Sequence, residues 1–131
     1  MEEYMAPKEL QDATKDLVES FPEFKKSEFY GATDSEITYL VFGDFDRFLL
    51  DYMMKNLDSI SSDDLIKRFC SFVNKLYDSG NNNLRELVLV GMFEYLGQYQ
   101  ISRKLIPCLS KDVGGKLGKF IDGEWSDDKK D

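Results

Sequence analysis

"LVLVGMFEYLGQ", residues 87–98, decides the fold, because it is apolar almost without pause and still contains a carboxylate. Placed at 100° per residue, Leu84, Leu87, Val88, Gly91 and Tyr95 share one side. Leu89, Met92, Phe93 and Leu96 lie largely across from them. A helix that is apolar on most of its circumference must be surrounded by other helices, so the pattern predicts the central helix of an all-α bundle. A mid-helix glycine costs about 1 kcal/mol relative to alanine. Gly91 is therefore expected where a neighbouring element approaches closely.

Working outward, "SISSDDLIKRFCSFVNKLYDSGNNN" (59–83) supplies the partner of that helix. Ser61 with Asp64 three residues on resembles a capping box, and acids in a first turn suit the helix dipole. Leu65, Ile66, Phe69, Phe72, Val73 and Leu76 then form a wide apolar stripe. Gly80 and three asparagines stop the helix, and the next begins near Asn83 or Leu84. Two long helices with a short polar link predict a central antiparallel hairpin over residues 62–98.

Toward the N-terminus, Leu10, Ala13, Leu17, Val18 and Phe21 repeat at helical spacing, with Pro7 suited to the opening turn and Pro22 as a stop. "PEFKKSEFYGATDSE" reads as a connection with a short turn of helix around Phe24 to Phe29. Ile37 to Phe42 is β-branched and aromatic, but no partner strand is evident. It therefore reads as a short helix or an extended entry into a helix that is clear from Asp44. Beyond the hairpin, Ser102 to Leu109 predicts a short helix bent by Pro107. The glycines of "DVGGKLGKF" lack phosphate-loop spacing and read as a flexible turn. The expected architecture is a bundle of about five helices in one domain, residues 1–121, with a charged, frayed tail at 122–131 that Trp125 could pin.

Chemistry is sparse. The 131 residues contain no histidine, the commonest general base and transition-metal ligand. No nucleophile motif, dinucleotide fingerprint or calcium loop occurs, so no catalytic, cofactor or metal residues are assigned. Asp44 and Asp46 form a D-x-D pair, but two residues apart on a helix they diverge by roughly 200°. They read as a solvated helix start. Cys70 and Cys108 belong to no C-x-x-C pair and are expected as two buried thiols. Acids at the start, "MEEYMAPKEL", where a secretory signal would carry bases, and the lack of an 18-residue apolar run point to a cytoplasmic protein.

Charge carries the functional reading. The net charge is −8, unfavourable for nucleic acid and anionic membranes. Residues 31–64 hold eight acids against two bases, whereas 65–131 hold nine against eleven. Asp34, Glu36, Asp44, Asp46, Asp51, Asp58, Asp63 and Asp64 are expected to form an acidic ridge. Such a ridge either keeps the protein soluble or attracts a cationic partner. Glu94 joins these candidates as an exposed anchor, unless it is a surface or internally paired helix residue, or a catalytic acid.

The order "FPEFKK", "YLVFGDFDRFL", "LIKRFCSFVNKLYDSGNNNLRELVLVGMFEYL" resembles small bacterial helical domains that include immunity proteins of polymorphic and contact-dependent toxin systems. The likeness spans roughly residues 20–97. It implies a helical fold and a role in neutralising a toxin; taken with the acidic block at 31–64 and the missing catalytic residues, the expected partner is a basic toxin domain such as a nuclease. The alternative is a helical adaptor that binds a partner through an apolar groove.

Overall fold

The first helix, α1 (Lys8–Ser20), buries Leu10, Ala13 and Leu17, the predicted stripe, and Pro7 precedes it as N-cap. These residues belong to a computed structural model that describes 7–31 and 37–123. Phe21 leaves the helix, and Pro22, which has no N–H to give, opens the one-turn α2 (Pro22–Lys25). Phe21 and Phe24 are both fully buried.

The next helix, α3, runs from Thr38 to Lys55. Residues 38–42 are thus continuous with it: in the apolar run "YLVF" Val41 and Phe42 are buried while Leu40 is exposed, and Asp44 and Asp46 lie well inside the helix rather than in a first turn. Val41, Phe42, Phe45, Phe48, Leu49, Leu50 and Met53 are buried along it. Phe45 joins the aromatic centre of the core, with ring centroids 4.9 Å from Phe21, 5.3 Å from Phe24 and 6.0 Å from Phe69. Such pairs contribute about 0.5–1.5 kcal/mol each beyond the burial of their area.

A 3-10 helix (Leu57–Ser62) follows, and then α4 (Asp64–Asp78). The cap of α4 is Asp63 rather than Ser61, which lies within the 3-10 turn. The Asp63 carboxylate accepts from the Ile66 N–H at 3.1 Å, satisfying an otherwise orphan donor. All six predicted stripe residues of α4 are buried. Gly80 takes a left-handed φ of 80°, which glycine adopts without penalty. Asn81 then caps α5 (Asn82–Val88) by accepting from the Leu84 N–H at 3.0 Å.

The helix continues from α5 through a π-helical stretch, Leu89–Phe93, into the one-turn α6 (Glu94–Leu96). This rod packs against α1, α3 and α4, and also against the C-terminal helix described below. It is the central helix that its apolar circumference predicted. Around Gly91 the approach is close: a Cβ there would lie 3.2 Å from the Tyr39 ring.

A second 3-10 helix (Gln100–Cys108) leads to α7 (Lys111–Ile121), capped by Ser110. The stretch "DVGGKLGKF" is therefore helix rather than a flexible turn. Packing overrides propensity here, since a Cβ on Gly114 would lie 3.3 Å from the Ile106 carbonyl oxygen. Cys70 and Cys108 form a disulfide, Cα–Cα 5.9 Å, where two buried thiols were expected. The Asn74 side chain accepts from the Ser110 N–H at 2.9 Å, holding this turn beside α4 with Cys108 at the surface. All regular structure among the described residues is helical. It is divided into more and shorter pieces than the five predicted, because 3-10 and π turns interrupt the runs.

Candidate functional site

Among the described residues the predicted acidic ridge is not one exposed face. Asp44 and Asp46 are each only 1% exposed, a correction to the solvated helix start expected of them. Asp44 pairs with Arg47. Asp51 pairs with Lys55 at 3.0 Å and Asp64 with Arg68 at 2.8 Å. Asp63 is spent on the α4 cap and on accepting from the Tyr52 hydroxyl at 2.7 Å. Burial and that carboxylate push the Tyr52 phenol up to about 12. Asp34 and Glu36 lie outside the described residues. Asp58 and Glu94 are exposed. Phe42 and Phe45, the aromatics that flank Asp44 and Asp46 in sequence, are fully buried in the core.

What survives of the ridge is a corner where α3 meets the first 3-10 helix. Met54 is 60% and Leu57 49% exposed, the two most exposed large apolar side chains among the described residues. Asp51 precedes Met54 by one helical turn, and Asp58 follows Leu57 directly. This corner combines an uncovered apolar pair with carboxylates at its edge, the composition of a protein-binding patch.

On α4, Arg68 forms a clamp. Its guanidinium donates to the Ser20 carbonyl at 2.8 Å, to both Glu23 oxygens and to Asp64, and it lies over the Phe21 ring. The Arg68 hydrogen bonds hold the Glu23 carboxyl below its ordinary range. A groove of about 460 Å³ runs beside this clamp, between Asp16 and Ser20 of α1 and Lys67, Ser71, Phe72 and Lys75 of α4. Two of its cations are already engaged, Arg68 as above and Lys75 with Asp16 at 3.8 Å.

Asp46 is the outlier. Its two carboxylate oxygens are buried with no hydrogen-bond partner among the described residues, and desolvation raises the carboxyl well above the ordinary carboxylate range. Its burial was readable in principle, because Phe42, Leu49, Leu50 and Met53 stand at i−4, i+3, i+4 and i+7 from it. Tyr95 of α6 lies within its field; burial, then the hydrogen bond to Tyr99, pushes that phenol up to about 12. Among the described residues no group of three or more His, Cys, Asp or Glu is arranged to hold a metal ion. No described helix is long and apolar enough to cross a membrane.

Residues 14–117 match the model of a family described as a domain of unknown function, DUF7674, and the chain belongs to that family. No curated protein and no solved structure matches it.

Proposed function

We propose that the protein is a binding domain that engages a cationic protein partner through the corner formed by Asp51, Met54, Leu57 and Asp58. The observation that carries this reading is the pairing of Met54 and Leu57, exposed to 60% and 49%, with carboxylates on either side. The apolar pair supplies area that a partner can desolvate, and the carboxylates set the sign of the partner and speed encounter. A net charge of −8 adds long-range attraction for a basic surface. Neutralisation of a basic toxin domain, a nuclease being one such, is the biological form we assign to this binding. In this form the reading no longer needs Asp44, Asp46 or Asp64, and Asp58 carries more of it than Asp51, which already faces Lys55 at 3.0 Å.

The test is co-expression with a basic protein encoded beside this chain, followed by titration calorimetry of the purified pair. Binding should weaken at least tenfold between 50 and 500 mM salt, and again in Met54→Asp and Asp58→Lys. A complex whose affinity ignores both substitutions would reject the corner. The absence of any complex would reject the partner class.

A further inference from the structure

Asp46 sits at the middle of α3, with Phe42, Leu49, Leu50 and Met53 around it on the helix and all of them buried. The helix packs against the π-helical stretch and α6: Tyr39, two turns before Asp46 on the same face, lies against Gly91, and Tyr95 of α6 feels the carboxyl, which places it at this seam. Neither oxygen meets a donor among the described residues. An ionised carboxylate in that position has lost water and gained no hydrogen bond, which is the costliest state a side chain can occupy. The protonated acid keeps the same shape without the charge.

The charges that could answer an ionised Asp46 are few. Arg47, its neighbour in sequence, acts on it but is paired with Asp44 and 42% exposed. From α6, Tyr95 feels it while engaged with Tyr99. The other elements packed on α3 keep their charges busy or outside. Glu9 of α1 accepts from Asn83, and Asp16 faces Lys75. Asp58 and Lys104 of the two 3-10 helices are exposed, and Arg103 is held by Asp122.

The opposing surface is also the least regular part of the rod. A π turn carries one more residue than an α turn, and π turns recur where helices have local work to do. We propose that the seam between α3 and the π-helical stretch is a proton-controlled latch, shut while Asp46 is a neutral acid and opened when it ionises. Opening parts α3 from Leu89–Phe93 enough to admit water to the carboxylate. The raised titration of the group fits this, because it places the transition above the ordinary aspartate range. The latch does not depend on the binding corner, whose exposed Met54, Leu57 and Asp58 lie at the C-terminal end of α3 and beyond it.

Carbon-13 NMR of the Asp46 carboxyl in the full chain, from pH 3.5 to 8.5, tests the proposal together with amide hydrogen exchange corrected for intrinsic rates. The carboxyl should pass through the ordinary aspartate range, about pH 3–5, still protonated. Its later deprotonation should coincide with at least a tenfold loss of protection at residues 89–96 and none at 65–77. Titration with free aspartate, retention of the proton to pH 8.5, or deprotonation without lost protection would each overturn the latch. In Asp46→Asn, which cannot ionise, protection at 89–96 should stay flat with pH. Should that variant fail to fold, the wild-type readings decide alone.

Discussion

Arg68 on α4 and Asp46 on α3 are both charges drawn into the packing, and they are treated in opposite ways. The Arg68 side chain is one-third exposed and finds the Ser20 carbonyl, Glu23 and Asp64, tying α4 to the end of α1 and to α2. Asp46 is buried and finds no hydrogen-bond donor among the described residues. A partnered charge of the first kind fixes where elements sit, and removing it leaves other groups unanswered. A charge of the second kind contributes only while it is neutral, so it makes the stability of its seam depend on pH. One chain thus contains a fixed joint and a conditional one.

The comparison can be strained from both sides. The seam beyond α6 is closed mechanically by Gly97, where a Cβ would lie 2.5 Å from Phe120 Cβ and 2.8 Å from the Phe93 carbonyl oxygen. Neither atom can swing away, so Gly97→Ala should cost about 1–3 kcal/mol, read as a lower urea midpoint at every pH. A pH-dependent loss would mean that Gly97 reports on Asp46 rather than on packing alone. At the fixed joint, Arg68→Ala should cost about 1–2 kcal/mol after solvent screening is allowed for. Arg68→Lys should recover only part of this, since an ammonium cannot reproduce the fork to Glu23. Full recovery would show that the clamp is mere charge.

Glu23→Gln should be the mildest, about 0.2–1 kcal/mol near neutral pH. Its sign with pH is opposite to that of Asp46. The folded state holds the Glu23 carboxyl low, so its contribution is present above the ordinary glutamate range and lost as pH falls below it. Wild type and variant should therefore converge in acid, and unfolding curves that stay separated there would exclude the Arg68 bonds as the cause.

Helices with a clean period were legible in the sequence, and departures from it were not. The α4 stripe from Leu65 to Leu76 shows 3.6-residue spacing, and the largely apolar run at 84–96 marked the rod beside it, whereas the π turn at Leu89–Phe93 left no sign in the sequence. Residues 37–42 were ambiguous because so short an apolar, partly β-branched run fits a strand or a helix equally well by its period. That ambiguity moved the apparent start of α3 to Asp44, and with it two buried acids were counted as surface. The glycines of α7 were misjudged for a related reason: propensity disfavours them, yet Gly114 is needed where Ile106 crosses. The corner at Met54 and Leu57 was hidden because exposure of an apolar residue is decided by what fails to pack on it, which composition cannot show.

The central claim, that Asp46 is held uncharged by its surroundings, is tested most directly by urea unfolding of wild type and Asp46→Asn from pH 4 to pH 8. With the folded carboxyl titrating above its unfolded value, wild-type stability is fully present below the ordinary aspartate range and declines as pH rises through the folded value. The stability of the asparagine variant relative to wild type should therefore climb with pH, by up to about 1.4 kcal/mol per unit, until the folded acid has ionised. Two curves that run parallel across the range, or a wild type that gains on the variant as pH rises, would contradict the account.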